Sequence, residues 1–133
     1  MAELMRSVRI TLPENCWRGI IEFGIPEGED LHSSLDLIFR AFMPEKYQSI
    51  IGDHRNGLLQ DAFAYLKWLE SREVFLLSSF VEELSQKLSI DAPDLTVDQA
   101  LSYLLIKRLE EGIAEIEKKK QARKRAKVIS KHR

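Results

Sequence analysis

The sequence predicts a mostly α-helical fold, in which one N-terminal β-strand is followed by helical hairpins and a basic C-terminal helix or tail. Three observations carry this. Residues 7–12 alternate polar and apolar with period two, as a half-buried strand requires. Most later apolar residues recur at spacings of three and four, the period of an amphipathic helix. From Lys118 to Arg133 there are nine basic residues and no acidic one.

Ser7-Val8-Arg9-Ile10-Thr11-Leu12 places Val8, Ile10 and Leu12 on one face and Ser7, Arg9 and Thr11 on the other. Pro13 lacks an N–H and ends the ladder, while suiting a helix's first turn. Glu14 favours a helix N-terminus by its charge, and a short helix is expected over 14–24 with Cys16, Trp17, Ile20, Ile21 and Phe23 near helical spacing. Gly24, Pro26 and Gly28 stop it. A second helix is expected from Asp30 to Ser33, all capping residues, as far as Met43, where Pro44 limits it; 45–51 suggests a further short helix. Gly52 to Gly57 reads as a loop rich in turn formers.

Leu58, Leu59, Ala62, Phe63, Leu66 and Leu69 form a helical stripe over 58–70. Val74-Phe75-Leu76-Leu77 suits either a short buried strand or the start of a helix through Leu88; Phe80, Val81, Leu84 and Leu88 favour the helix. Asp91-Ala92-Pro93-Asp94 marks a turn. Thr96 then caps a last helix, with Asp98 and Gln99 near the capping-box position, and its apolar residues run from Val97 to Ile116.

A length of 133 residues suits one domain, and 44% apolar content excludes wholesale disorder. The boundaries drawn are a single mainly helical domain over 1–117, whose helical part spans 58–116, and a basic arm over 118–133. The formal net charge of −1 hides a split, because removing the arm leaves a body at −10. A single cysteine, Cys16, forms no intrachain disulfide, and no apolar run is long enough to span a membrane. The first residues lack an apolar leader core, so a cytoplasmic protein without a membrane partner is expected.

A shift of 64 residues carries Ile10 onto Val74, Leu12 onto Leu76, Cys16 onto Phe80, Ile20 onto Leu84 and Asp30-Leu31 onto Asp94-Leu95. It suggests two halves, each an extended segment, a helix, a turn and a helix.

Enzymatic constellations are thin. His32, His54 and His132 are far apart, so no sequence-local metal site forms. Cys16 beside Trp17 suits a small core residue. Gly52 and Gly57 lack the Lys-Ser/Thr of a phosphate loop, and Glu82-Glu83 and Glu110-Glu111 suit solvated helix faces. No catalysis, cofactor or metal is expected.

The N-terminal segment, Ser7 to Glu14 followed by two helices and a polar turn, resembles the ribbon-helix-helix DNA-binding family over residues 6–43. The resemblance implies a homodimer in which the strand pairs antiparallel with its twin from a second protomer, and the two-stranded ribbon enters the major groove. It further implies that Ser7, Arg9 and Thr11 contact base edges. Backbone N–H groups near Ser33 and Ser34, at the start of the second helix, would clamp a phosphate. An ordinary strand pairing within the body has the same alternation.

Phosphate neutralisation suits the arm, through Lys118, Lys119, Lys120, Arg123, Lys124, Arg125 and Lys127, with salt-dependent and sequence-blind affinity. Together these features suggest a small DNA-binding regulator whose partner is duplex DNA. The alternative is a non-enzymatic helical adaptor that holds a protein partner through its acidic body or basic tail.

Overall fold

The computed structural model describes residues 4–25, 28–109 and 121–122. The fold is mostly helical, and its N-terminal strand, β1 (Met5–Pro13), has Val8, Ile10 and Leu12 buried, with Ser7 and Arg9 exposed and Thr11 half-buried. The period-two pattern therefore sorts the side chains as expected. β1 leads without a loop into α1 (Glu14–Gly19), which ends in a π-helical turn, Ile20–Gly24. Pro13, at φ −54° and ψ 145°, turns the chain directly from strand to helix. Trp17 is the buried residue of α1, and its Nε1–H donates to the Glu70 carbonyl at 2.8 Å.

The next helix, α2 (Leu31–Arg55), is a single rod of 25 residues with Pro44 inside it. This corrects the expected stop at Met43 and the expected loop over Gly52 to Gly57. Leu35, Phe39, Met43, Tyr47, Ile50, Ile51 and His54 make one continuous buried stripe, and packing along it outweighs the hydrogen bond that Pro44 forfeits. Asp30 caps the start by accepting from Ser33 N–H at 2.7 Å. The helix ends at Asn56, and Gly57 follows at φ +78°, a left-handed position that glycine occupies without strain.

The short helix α3 (Leu58–Tyr65) stops well before residue 70. Beyond it the chain forms a second strand, β2 (Leu69–Leu77), where helix had been favoured from residue 74 onward. Val74 and Leu76 are buried, while Ser71, Glu73 and Phe75 are exposed, so the segment alternates as β1 does. Helix α4 (Ser78–Asp91) follows at once and buries Val81, Leu84 and Leu88. A final helix, α5, begins at 97 and is helical through 109, the last residue described in this segment. Thr96 and Gln99 form a reciprocal capping box: Gln99 N–H donates to Thr96 Oγ1, and Thr96 N–H to Gln99 Oε1, both at 3.2 Å. Residues 100–106 of α5 are buried on every side, which makes it the central helix.

β1 and β2 pair antiparallel over nine residues each, from Met5 opposite Leu77 to Pro13 opposite Leu69. The pairing that the resemblance implied between two protomers is thus made within one chain. Its register obeys the 64-residue shift. Arg9 maps onto Glu73, and Arg9 lies directly opposite Glu73. Every other rung maps onto another rung about that centre, as Val8–Val74 maps onto Ile10–Arg72.

The two strand-to-helix junctions obey the same relation. Glu14 N–H donates to the Trp68 carbonyl and Ser78 N–H to the Leu4 carbonyl, each at 2.9 Å. Leu77, the counterpart of Pro13, turns the chain at φ −58° and ψ 127°. The ribbon and its junctions have a pseudo-two-fold axis through the Arg9–Glu73 rung.

Pro44 is exposed and sits in mid-helix, where proline costs about 3 kcal/mol relative to alanine. Pro44→Ala is expected to stabilise the protein by about 1–3 kcal/mol, seen as a higher urea midpoint at unchanged slope.

Candidate functional site

The inner face of the ribbon lies on the core, and its outer face is open. That outer face brings Ser7, Arg9 and Thr11 together with Ser71, Glu73 and Phe75 of β2. Across the strands Ser7 faces Phe75, Arg9 faces Glu73, and Thr11 faces Ser71. Thr11 Oγ1 and Ser71 Oγ share a hydrogen bond at 2.7 Å, and the His32 and Phe75 rings meet edge-on at 5.4 Å between centroids. Among the described residues no ion pair engages Arg9 or Glu73, so both charged ends are available to a ligand.

Side chains from the long helices cover part of each edge of the ribbon. On the β1 side, Arg9 N–H donates to Asp98 Oδ1 at 3.3 Å and Thr11 N–H to Ser102 Oγ at 2.9 Å. On the β2 side, Phe75 N–H donates to His32 Nδ1 and Leu77 N–H to Asp36 Oδ1, both at 3.1 Å. These contacts cover the stretch from Arg9 to Thr11 on β1 and from Phe75 to Leu77 on β2, and the outer face is open between them.

Ser33 and Ser34 stand at the start of α2, and their N–H groups are already engaged. Ser33 N–H donates to the Asp30 carboxylate, and Ser34 N–H to the Asp30 carbonyl at 3.2 Å. Ser34 itself is buried, with its hydroxyl 3.4 Å from Glu29. Hydrogen bonding from Ser33 holds the Asp30 carboxyl below its ordinary range, so a carboxylate already occupies the place where a phosphate had been expected. Lys118, Lys119, Lys120, Arg123, Lys124, Arg125 and Lys127 lie outside the described residues.

The β2 half of the face was missed in the sequence because residues 74–77 were ambiguous on their own. The 64-residue shift was the signal that could have found it, since it places Ser71, Glu73 and Phe75 where Ser7, Arg9 and Thr11 stand in β1.

Other polar clusters hold the fold together. Asp53 accepts from Lys107 Nζ at 2.6 Å and from the Tyr103 hydroxyl at 2.7 Å. His54 bridges Asp94 at 3.0 Å and Gln60 at 2.7 Å. The Tyr47 hydroxyl donates to Asp91 at 2.6 Å, and burial together with that acceptor pushes its pKa up to about 12. Cys16 is half-buried, and desolvation raises its thiol, the direction that lowers reactivity. Among the described residues no group of three or more His, Cys, Asp or Glu is placed to hold a metal ion, and no helix is long and apolar enough to cross a membrane.

One further surface stands out. Tyr65 and Trp68 are 84% and 82% exposed beside a cavity of about 550 Å³ lined by Pro13, Cys16, Leu66, Ile106 and Leu109 among others. No protein-family model, no curated protein and no solved structure matches this chain.

Burial alone would raise the Asp53 carboxyl, but the bonds from Lys107 and Tyr103 outweigh it and hold the pKa below the ordinary value. A carboxylate depressed in the folded state stabilises above the unfolded carboxylate range and loses that contribution as pH falls through its folded value. Asp53→Asn is therefore expected to cost about 1.5–3 kcal/mol at neutral pH. The gap between wild type and variant should close below about pH 4 in urea titrations.

Proposed function

We propose that this protein is a DNA-binding regulator that reads the major groove with the outer face of its β1–β2 ribbon and gains affinity from its basic arm. The observation that carries the reading is the ribbon itself. A two-stranded antiparallel ribbon has the width that the major groove admits, and this one has one open face and edges partly covered by helix side chains. On that face Arg9 is suited to a bidentate contact with guanine, and Thr11 and Ser7 offer hydroxyls. In this reading the chain is a single-chain counterpart of the ribbon-helix-helix arrangement. A homodimer is not needed to complete the ribbon.

The charge split supports a division of labour. On the open face Arg9 and Glu73 offset each other, the body over 1–117 stands at −10, and the arm carries nine basic residues. Duplex DNA then has two places to lie, the ribbon face and the arm. The start of α2, closed by Asp30, contributes no phosphate clamp.

Electrophoretic shifts of the full chain with duplex DNA test this. Binding is expected at about 50 mM salt and should weaken by orders of magnitude by about 200 mM. Arg9→Ala should erode sequence preference by about 1–3 kcal/mol with little change in sequence-blind affinity. Replacing Lys118, Lys119, Lys120, Arg123, Lys124, Arg125 and Lys127 with glutamine should weaken all sequences alike and flatten the salt slope. No shift at the lower salt would overturn the proposal.

The exposed Tyr65 and Trp68 favour a second reading, the helical adaptor, because paired exposed aromatics beside an apolar cavity are typical of protein-binding surfaces. Under that reading Trp68→Ala abolishes capture of a protein partner in pull-downs treated with nuclease, and DNA binding is absent.

A further inference from the structure

We infer, resting on the DNA-binding reading above, that the ribbon recognises a non-palindromic duplex, one chain per site in a single orientation, with Arg9 and Glu73 making unlike contacts at the centre. In a ribbon built from two identical chains, every reading residue has an identical mate across the two-fold axis, and the preferred site mirrors that symmetry. Here the mates stand in one chain and differ. The pseudo-two-fold that relates the strands carries Ser7 onto Ser71, Arg9 onto Glu73 and Thr11 onto Phe75. One pair is identical, one is of opposite charge, and one sets a hydroxyl against a phenyl ring.

Each difference falls on the open face. Arg9 and Glu73 are both exposed and face each other on the axis, so they meet the central base pairs. Arginine donates to guanine O6 and N7, whereas a carboxylate accepts from cytosine N4 and repels the acceptor edge of guanine. At one end of the ribbon, Phe75 is 42% exposed, supported edge-on by His32 and opposite Ser7, an apolar surface suited to a thymine methyl. At the other end, Thr11 and Ser71 present two hydroxyls tied to each other at 2.7 Å. Turning the duplex end for end would bring guanine to Glu73 and the thymine methyl to the hydroxyl end. One orientation is therefore favoured by matched donors and acceptors, and the other is disfavoured by acceptor facing acceptor.

The test is selection by the full chain from duplexes with a randomised central segment, with sedimentation of the selected complex. The expected result is a motif without two-fold symmetry, bound by one chain, whose centre has two successive guanines on one strand, one contacted by Arg9 and the other paired with the cytosine that Glu73 contacts. Glu73→Gln should lose about tenfold of the discrimination at the cytosine position. Glu73→Arg, which gives the central rung two like donors, should draw the selected centre toward two symmetry-related guanines while the ends stay unlike. Both substitutions fall on an exposed site, and circular dichroism checks that the variants fold. A palindromic motif, or two chains on each selected site, would overturn the inference and leave DNA binding standing. Retention at low salt with no enriched motif would overturn it as well, by removing base reading. No retention of any duplex at low salt would overturn both this inference and the reading it rests on.

Discussion

The antiparallel pairing of β1 with β2 is the interaction on which the rest of the molecule depends. Two strands alone are marginal in water, and these are separated by α1, α2 and α3, so closing the ribbon costs loop entropy as well as strand ordering. The compensation comes from the inner face. Val8, Ile10, Leu12, Val74 and Leu76 are each nearly or fully buried, and a side chain of that kind contributes about 1.5–3 kcal/mol when removed from water. Trp17 reinforces the closure from α1, since its indole is fully buried and its N–H is tied to the β2 backbone. The ribbon is a long-range structure held in place by what packs beneath it.

The helices that pack beneath it also interlock the two halves of the chain. α5, from the second half, supplies Asp98 and Ser102 to the edge of β1, in the first half. α2, from the first half, supplies His32 and Asp36 to the edge of β2, in the second. Farther along, α2 reaches the second half again through Tyr47 to Asp91, Asp53 to Tyr103 and Lys107, and His54 to Asp94. Each half therefore supplies hydrogen bonds to the strand edge of the other, which covers part of each edge against an incoming strand.

What was legible in the sequence follows from how local each signal is. β1 was legible because period-two alternation stands next to a proline that ends it, and the start of α5 because Thr96 and Gln99 make a capping box. The continuity of α2 was not, because Pro44 and Gly52 are local breakers and only tertiary packing along Leu35 to His54 overrides them. β2 was ambiguous for a related reason. Val74-Phe75-Leu76-Leu77 runs straight into the helical stripe of α4, and no loop separates strand from helix at Leu77. Of the candidate face, the β1 half was legible from alternation alone, whereas the β2 half required the 64-residue correspondence, whose apolar matches are common to many helical hairpins. Ser33 and Ser34 show the limit of a residue-type argument. A helix N-terminus suits an anion in general, but here Asp30 is the anion.

The near-zero net charge takes on a different meaning once the acidic residues are placed. Several carboxylates in the body already have work inside the fold. Asp36 pairs with Arg40 and caps the end of β2, Asp53 holds Lys107 and Tyr103, Asp94 holds His54, and Asp30 caps α2. None of these lies on the open face of the ribbon, where Glu73 is the acidic residue among Ser7, Arg9, Thr11, Ser71 and Phe75. Arg9 and Glu73 offset each other on that face, so under the DNA-binding proposal phosphate neutralisation falls to the arm. The carboxylate of Glu73 stands on the pseudo-two-fold axis, where it breaks the symmetry of the open face most directly.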